Sequence, residues 1–137
     1  MLDEIVVYTD GGARGNPGPA AIGALVLDPS TTPPTRLATV SERIGETTNN
    51  VAEYRAVIAA LEAARAFPAR VVRVRADSML VVEQLAGRWK VKQAHLKPLH
   101  KQARALLDAY QVVDLAHVRR EENADADALV NAALDVP

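Results

Sequence analysis

The sequence predicts an α/β fold: a mixed five-stranded sheet with helices on both faces, its elements in the order βββαβααβα. Three observations carry this. Three β-rich runs come before the first segment of helical period, and helical and strand periods alternate after it. The composition, 49% apolar and 24% charged over 137 residues, is that of a globular chain. This length corresponds to a single domain over residues 1–137. A chain of that size buries roughly two-thirds of its unfolded surface, so it needs no disulfide or metal staple.

The elements follow in order. Glu4 to Asp10 (EIVVYTD) is a short β-rich run that stops at a glycine cluster, Gly11, Gly12, Gly15 and Gly18, with Pro17 and Pro19 between. Ala20 to Leu27 is a second strand, which makes the glycine stretch a long hairpin connection. A loop from Asp28 to Pro34 leads to a third strand, Arg36 to Ile44. Val51, Tyr54, Val57, Ile58 and Leu61 give Asn50 to Ala66 a helical spacing. Val72 and Val74 alternate with Arg73 and Arg75 in a fourth strand, Val71 to Ala76. Ser78 caps a short helix that runs to Leu85 and is stopped by Gly87. Pro98 suits the first turn of the next helix, whose inner face is Leu99, Ala103, Leu106 and Tyr110. Val112 to Val118 is the fifth strand, and Asn123 caps a last helix built on Ala126, Leu129, Val130 and Ala133.

Several function classes fall away at once. Cysteine is absent, which removes disulfide scaffolds, zinc–thiolate sites, iron–sulfur clusters and cysteine nucleophiles. No apolar run approaches the ~20 residues of a membrane-spanning helix, and no basic-then-apolar leader opens the chain. The expectation is a cytoplasmic protein with no membrane partner. Gly12-x-x-Gly15-x-x-Gly18 lacks the G-x-G start of a dinucleotide loop, no Gly-Lys-Ser/Thr follows for a P-loop, and there is no G-x-S-x-G elbow.

The net charge of −1 hides a strong polarity. Between Gln84 and Leu107 there are no acids but six bases, Arg88, Lys90, Lys92, Lys97, Lys101 and Arg104, so this segment carries +6 and the remainder −7. Such a chain can grip a polyanion with one patch and keep an acidic site elsewhere; a solvated helix face is the plainer alternative.

Four acids stand out. Asp10 ends an apolar strand, where aspartate is disfavoured unless it starts the glycine turn. Glu53 fits a capping box with Asn50, and Asp77, just before a Ser-capped helix, fits compensation of the helix dipole. Asp127 and Asp125 flank the apolar face of the last helix almost symmetrically, and periodicity does not choose between them. These local roles leave the arrangement unexplained: Asp10 and Asp77 leave neighbouring strands, and Glu53 starts the helix between them. Converging carboxylates repel, and at neutral pH they need protons or cations. Hard divalent ions with oxygen ligands, Mg²⁺ or Mn²⁺, suit them.

TDGGARGNPGPAAIG (Thr9 to Gly23), ETTNNVAEY (Glu46 to Tyr54), RADSMLVVEQL (Arg75 to Leu85) and NADADAL (Asn123 to Leu129) resemble the successive blocks of type 1 ribonuclease H, in a compact form without the long basic protrusion. The resemblance spans nearly the whole chain. It implies the ribonuclease H-like form of the mixed sheet, and metal-dependent endonucleolytic cutting of RNA in an RNA–DNA hybrid, leaving 5′-phosphate and 3′-hydroxyl ends. By resemblance the acidic quartet is Asp10, Glu53, Asp77 and Asp127, the Asn-x-x-x-Asp-x-Leu spacing selecting Asp127 over Asp125. The quartet would hold two Mg²⁺ or Mn²⁺ ions that activate a water and stabilise the leaving 3′-oxygen. Substrate contacts fall on the backbone of Gly11, Gly12 and Gly15 and on Asn16, Thr48, Asn49 and Asn50. Amides and small polar side chains reach RNA 2′-hydroxyls or a DNA phosphate without selecting a sequence. The expected partner is an RNA–DNA hybrid bound by a monomer.

Two features depart from longer members. Gly87 to Pro98 is short, and Trp89, the single tryptophan, is either a packing residue or a DNA contact. The auxiliary catalytic residue is His117 or Arg120, with Arg119 beside them; His95 and His100 belong to a solvated basic helix. Two other classes compete. One is a non-catalytic module binding hybrids or double-stranded RNA, which a full acidic quartet disfavours. The other is a DNA-cutting nuclease of the same fold such as a resolvase, which the ribose-suited TTNN block disfavours.

Overall fold

Five strands form one mixed sheet in the computed structural model, which describes residues 2–136. β1 (Leu2–Ala13), β2 (Gly18–Asp28) and β3 (Thr35–Thr47) pair antiparallel. β4 (Ala69–Ala76) and β5 (Val112–His117) extend the sheet with parallel pairing from the other edge of β1, giving the spatial order β3-β2-β1-β4-β5. α1 (Asn49–Ala64) joins β3 to β4, α2 (Met79–Leu85) and α3 (Lys97–Leu107) lie between β4 and β5, and α4 (Ala124–Asp135) follows β5. The element order is the one the periodicities predict.

Strand alternation places the core. Ile5 and Val7 of β1 and Val72 and Val74 of β4 meet Tyr54, Val57 and Leu61 of α1 and Leu107 of α3 on one face. Each fully buried valine or leucine there is worth about 1.5–3 kcal/mol. On the opposite face Ala21 packs against Val130 and Ala133 of α4, so helices cover both faces as expected. β1 thus has α1 on one side and α4 on the other, and both helices bring acids to its carboxyl end. Among the described residues no helix is long and apolar enough to cross a membrane.

Several boundaries and local roles differ from expectation. β1 does not stop at Asp10: Gly11, Gly12 and Ala13 continue it, paired with Ile22, Ala21 and Ala20. The glycines are in the strand because α1 packs against it. A Cβ on Gly11 would lie 2.3 Å from the Ala52 carbonyl carbon, so only glycine allows this approach. β3 runs past Ile44 to Thr47, and α1 starts one residue before Asn50, capped by Thr48, whose hydroxyl accepts from Val51 N–H at 3.3 Å. Ser78 caps α2 as expected. On α3, Ala103 and Leu107 are fully buried while Leu99 and Leu106 are only partly so, and Tyr110 lies beyond the helix. Asn123 holds the cap position of α4 without capping it; its Nδ2 donates instead to the Thr9 carbonyl at 2.9 Å, tying α4 to β1.

Candidate active site

Asp10 is a mid-strand residue, 7% exposed, on the α4 side of β1. Asp77 follows the last residue of β4, and Glu53 sits in the second turn of α1. The capping-box role for Glu53 is not observed. Its Oε1 accepts from Gly11 N–H at 2.7 Å, across the close contact between β1 and α1. One carboxylate oxygen each from Asp10, Glu53 and Asp77 lie within 4.8 Å of one another. Asp127, in the first turn of α4, is not part of that three-residue cluster but lines the same cleft, close enough to act on the Asp10 carboxyl. Asp125 points elsewhere and pairs with Arg36 at 3.2 Å, so the two acids that periodicity could not separate are separated by the fold.

The electrostatics follow from this crowding. Burial, then the Asp77 charge, then hydrogen bonding and charge from Asp127, push the Asp10 carboxyl up to about 8. Burial and the charges of Asp10 and Asp77 hold Glu53 well above the ordinary carboxylate range, against the opposing pull of the Gly11 N–H. No lysine or arginine pairs with Asp10, Glu53, Asp77 or Asp127 among the described residues. An all-oxygen set of clustered acids without a cationic side chain fits a hard metal ion.

The carboxylates open into a cleft of about 520 Å³, lined also by Gly11, Gly12, Asn49, His117 and Arg120. Gly15, Asn16, Thr48 and Asn50 are not part of this lining. Asn49 Oδ1 accepts from Ala13 N–H at 2.8 Å, and Asn16 Oδ1 accepts from Asn49 N–H at 3.1 Å, so the two asparagines knit the glycine hairpin to the start of α1. His117 ends β5 with its Nε2 3.1 Å from the Asp77 carbonyl oxygen. Both auxiliary candidates reach the cleft.

The basic strip lies outside the cleft and divides in two. Arg88 is bidentate to Glu83 at 2.6 and 2.8 Å, and Arg104 donates to the Leu85 carbonyl and to Asp108. Lys90, Lys92, Lys97 and Lys101 are exposed. Trp89 is 45% exposed, so it is not a core residue, though over half of its surface is covered. His100 is only partly exposed: its Nε2 lies 3.1 Å from the Gln84 carbonyl oxygen and its ring meets Tyr54 edge-on.

Sequence reasoning missed two polar residues of the cleft. Arg14 lines it from the β1–β2 hairpin, and Asn131 donates to Asp127 Oδ2 at 3.4 Å. Asn131 had a signal, since residues four apart on a helix are neighbours. Arg14 stands inside the glycine block, but only the fold brings it to α4.

The family model for reverse transcriptase-like proteins matches residues 8–133. A bifunctional protein of Mycobacterium tuberculosis is 47% identical over 134 residues, which is 96% of this chain and 36% of that protein. The chain thus spans about a third of the length of the mycobacterial relatives it matches. The solved N-terminal RNase H domain of the M. tuberculosis protein superposes with a TM-score of 0.91 at 46% identity, covering 96% of this chain and 99% of that one. Ribonuclease HI of Halobacterium salinarum is 44% identical over 93% of this chain and 63% of its own length. Its crystal structure gives a TM-score of 0.90. LC11-RNase H1, solved in complex with an RNA/DNA hybrid, gives a TM-score of 0.87 at 44% identity, with 96% of each chain covered. Sheet order, element order and these matches over nearly the whole chain agree, and this chain belongs to the ribonuclease H family, type 1.

Proposed function

We propose that this chain is an endoribonuclease that hydrolyses the RNA strand of RNA–DNA hybrids, leaving 5′-phosphate and 3′-hydroxyl ends. The observation that carries the reading is the convergence of Asp10, Glu53 and Asp77, with Asp127 beside Asp10, at the floor of an open cleft. The hybrid-bound relative supports the choice of substrate.

In this reading Asp10, Glu53, Asp77 and Asp127 would together hold two Mg²⁺ or Mn²⁺ ions. Such ions, when bound, supply an activated water and charge stabilisation at the leaving oxygen. The chain's own residues do the placing. Gly11 N–H aims the Glu53 carboxylate, and Asn131 steadies that of Asp127. Asn123 fixes the start of α4 to the backbone one residue before Asp10. The hairpin backbone and Asn49 present small polar groups that suit ribose hydroxyls and phosphates and read no base.

Incubation with Mg²⁺ or Mn²⁺ and end-labelled hybrid, duplex DNA, duplex RNA and single-stranded RNA tests the proposal. The expected outcome is metal-dependent cutting of the hybrid's RNA strand alone. Cutting of duplex DNA, or no cutting with either metal, contradicts it.

A further inference from the structure

We propose that Arg14 is a phosphate-binding residue of the cleft, taking a backbone phosphate of the nucleic-acid strand in exchange for Asp135. The choice of an RNA–DNA hybrid as ligand rests on the function proposed above.

Arg14 lines the same cleft as the four carboxylates. A polyanion entering that cleft meets clustered negative charge and needs cationic groups at the rim. Three arginines line it, Arg14, Arg119 and Arg120, and Arg119 is shared between Glu122 at 3.1 Å and Glu121 at 3.5 Å. Arg14 starts from a rigid backbone: its N–H donates to the Pro19 carbonyl at 2.8 Å. Its own carbonyl oxygen lies 2.2 Å from where a Cβ of Gly18 would stand, which keeps residue 18 a glycine and the hairpin tight. The guanidinium is therefore presented from a fixed point.

Its partner is a stand-in of the right chemistry. Asp135 Oδ1 lies 2.6 Å from Arg14 Nη2, so the guanidinium already holds an anionic oxygen. The two side chains are 49% and 65% exposed, so the pair is weak in water, whereas a bidentate guanidinium–phosphate contact is stronger. The pair is also not needed to seat α4. Arg43 donates to the Ala133 and Leu134 carbonyls at 2.9 and 3.1 Å and also reaches that of Val136, while Ser41 Oγ donates to the Leu129 carbonyl at 2.6 Å. With the helix end held from β3, the Arg14–Asp135 contact is free to open.

The test is binding of a fluorescently labelled hybrid to the full chain in EDTA, titrated with salt, for wild type, Arg14→Gln, Asp135→Asn and the double variant. Arg14→Gln is expected to weaken binding and lower the slope of log K against log salt by about 0.9, the B-DNA value for one neutralised phosphate. Asp135→Asn is expected to tighten binding by up to about fivefold, the upper worth of an exposed pair. That gain should vanish in the Arg14→Gln background, because it acts only through the freed arginine. A structural clamp would instead lower the melting temperature in both single variants and leave the slope unmoved, and that result overturns the proposal. So does a gain from Asp135→Asn that survives the loss of Arg14. Cleavage of the same hybrid with Mg²⁺ is measured in parallel. A wild type that binds with this pattern yet never cuts overturns the nuclease reading alone, and one that binds no hybrid overturns both.

Discussion

Asp77 stands just past β4 with a carboxylate oxygen within 4.8 Å of those of Asp10 and Glu53, and among the described residues no lysine or arginine pairs with it. Asp77→Asn keeps the size and removes a charged ligand, so hybrid cleavage should be abolished while the far-UV spectrum and hybrid binding stay near wild type. Cleavage at near wild-type rate would remove Asp77 from the site. Gly11 is the companion case. A Cβ there meets the Ala52 backbone at 2.3 Å, so Gly11→Ala should cost about 1–3 kcal/mol by overpacking and displace the N–H that aims Glu53. Thermal melts and cleavage rates should fall together; a fall in neither contradicts the close-approach argument. At this scale the acids were legible as residue types in unusual places. Their true partners were not: Glu53 answers to Gly11 in another element instead of its own helix start, and Arg14 answers to Asp135.

At the scale of elements, α3 carries the test of the basic strip. Lys97 and Lys101 are exposed one turn apart, whereas the Arg104 guanidinium is already spent on the Leu85 carbonyl and Asp108. Lys97→Gln with Lys101→Gln should lower the salt slope of hybrid binding by about 0.9 for each phosphate that these lysines neutralise, and Arg104→Gln should change it less. A slope unchanged by the lysine pair returns the helix to a solvated face. The order of elements was legible because periods of 2 and 3.6 survive in Val71 to Ala76 and in Asn50 to Ala66. The end of β1 was not, since Gly11 and Gly12 signal a turn by type and only packing against α1 explains them as strand. Asn123 was legible as a cap position, but its hydrogen bond to Thr9 spans the molecule.

For the whole molecule, the clustered carboxylates make stability depend on pH and metal together. Without metal, the native Asp10 carboxyl holds its proton up to about 8 while an unfolded aspartate releases its own near 3.8. Between those values the native state binds more protons than the unfolded one, so this contribution is complete below about pH 4 and is lost as pH rises toward 8. Glu53, shifted the same way, adds to the slope. Asp114, drawn down by Arg75 and Arg73, acts in the opposite sense but only at acid pH, where it is protonated. The melting temperature in EDTA should therefore fall from pH 5 to pH 8, and Mg²⁺ should flatten that fall; a rise in EDTA contradicts it.

The most direct test of the clustered site is a paired set of melts at pH 8, wild type against Asp10→Asn, each in EDTA and in Mg²⁺. In EDTA the variant relieves a repulsion that exists only in the native state, so it should melt higher. With Mg²⁺ the wild type gains about 2.7 kcal/mol per independent site at 100 times Kd, and the variant, lacking one of the carboxylates that would hold the metal, gains less, so its advantage should shrink or reverse. Identical metal responses in the two proteins would contradict the account.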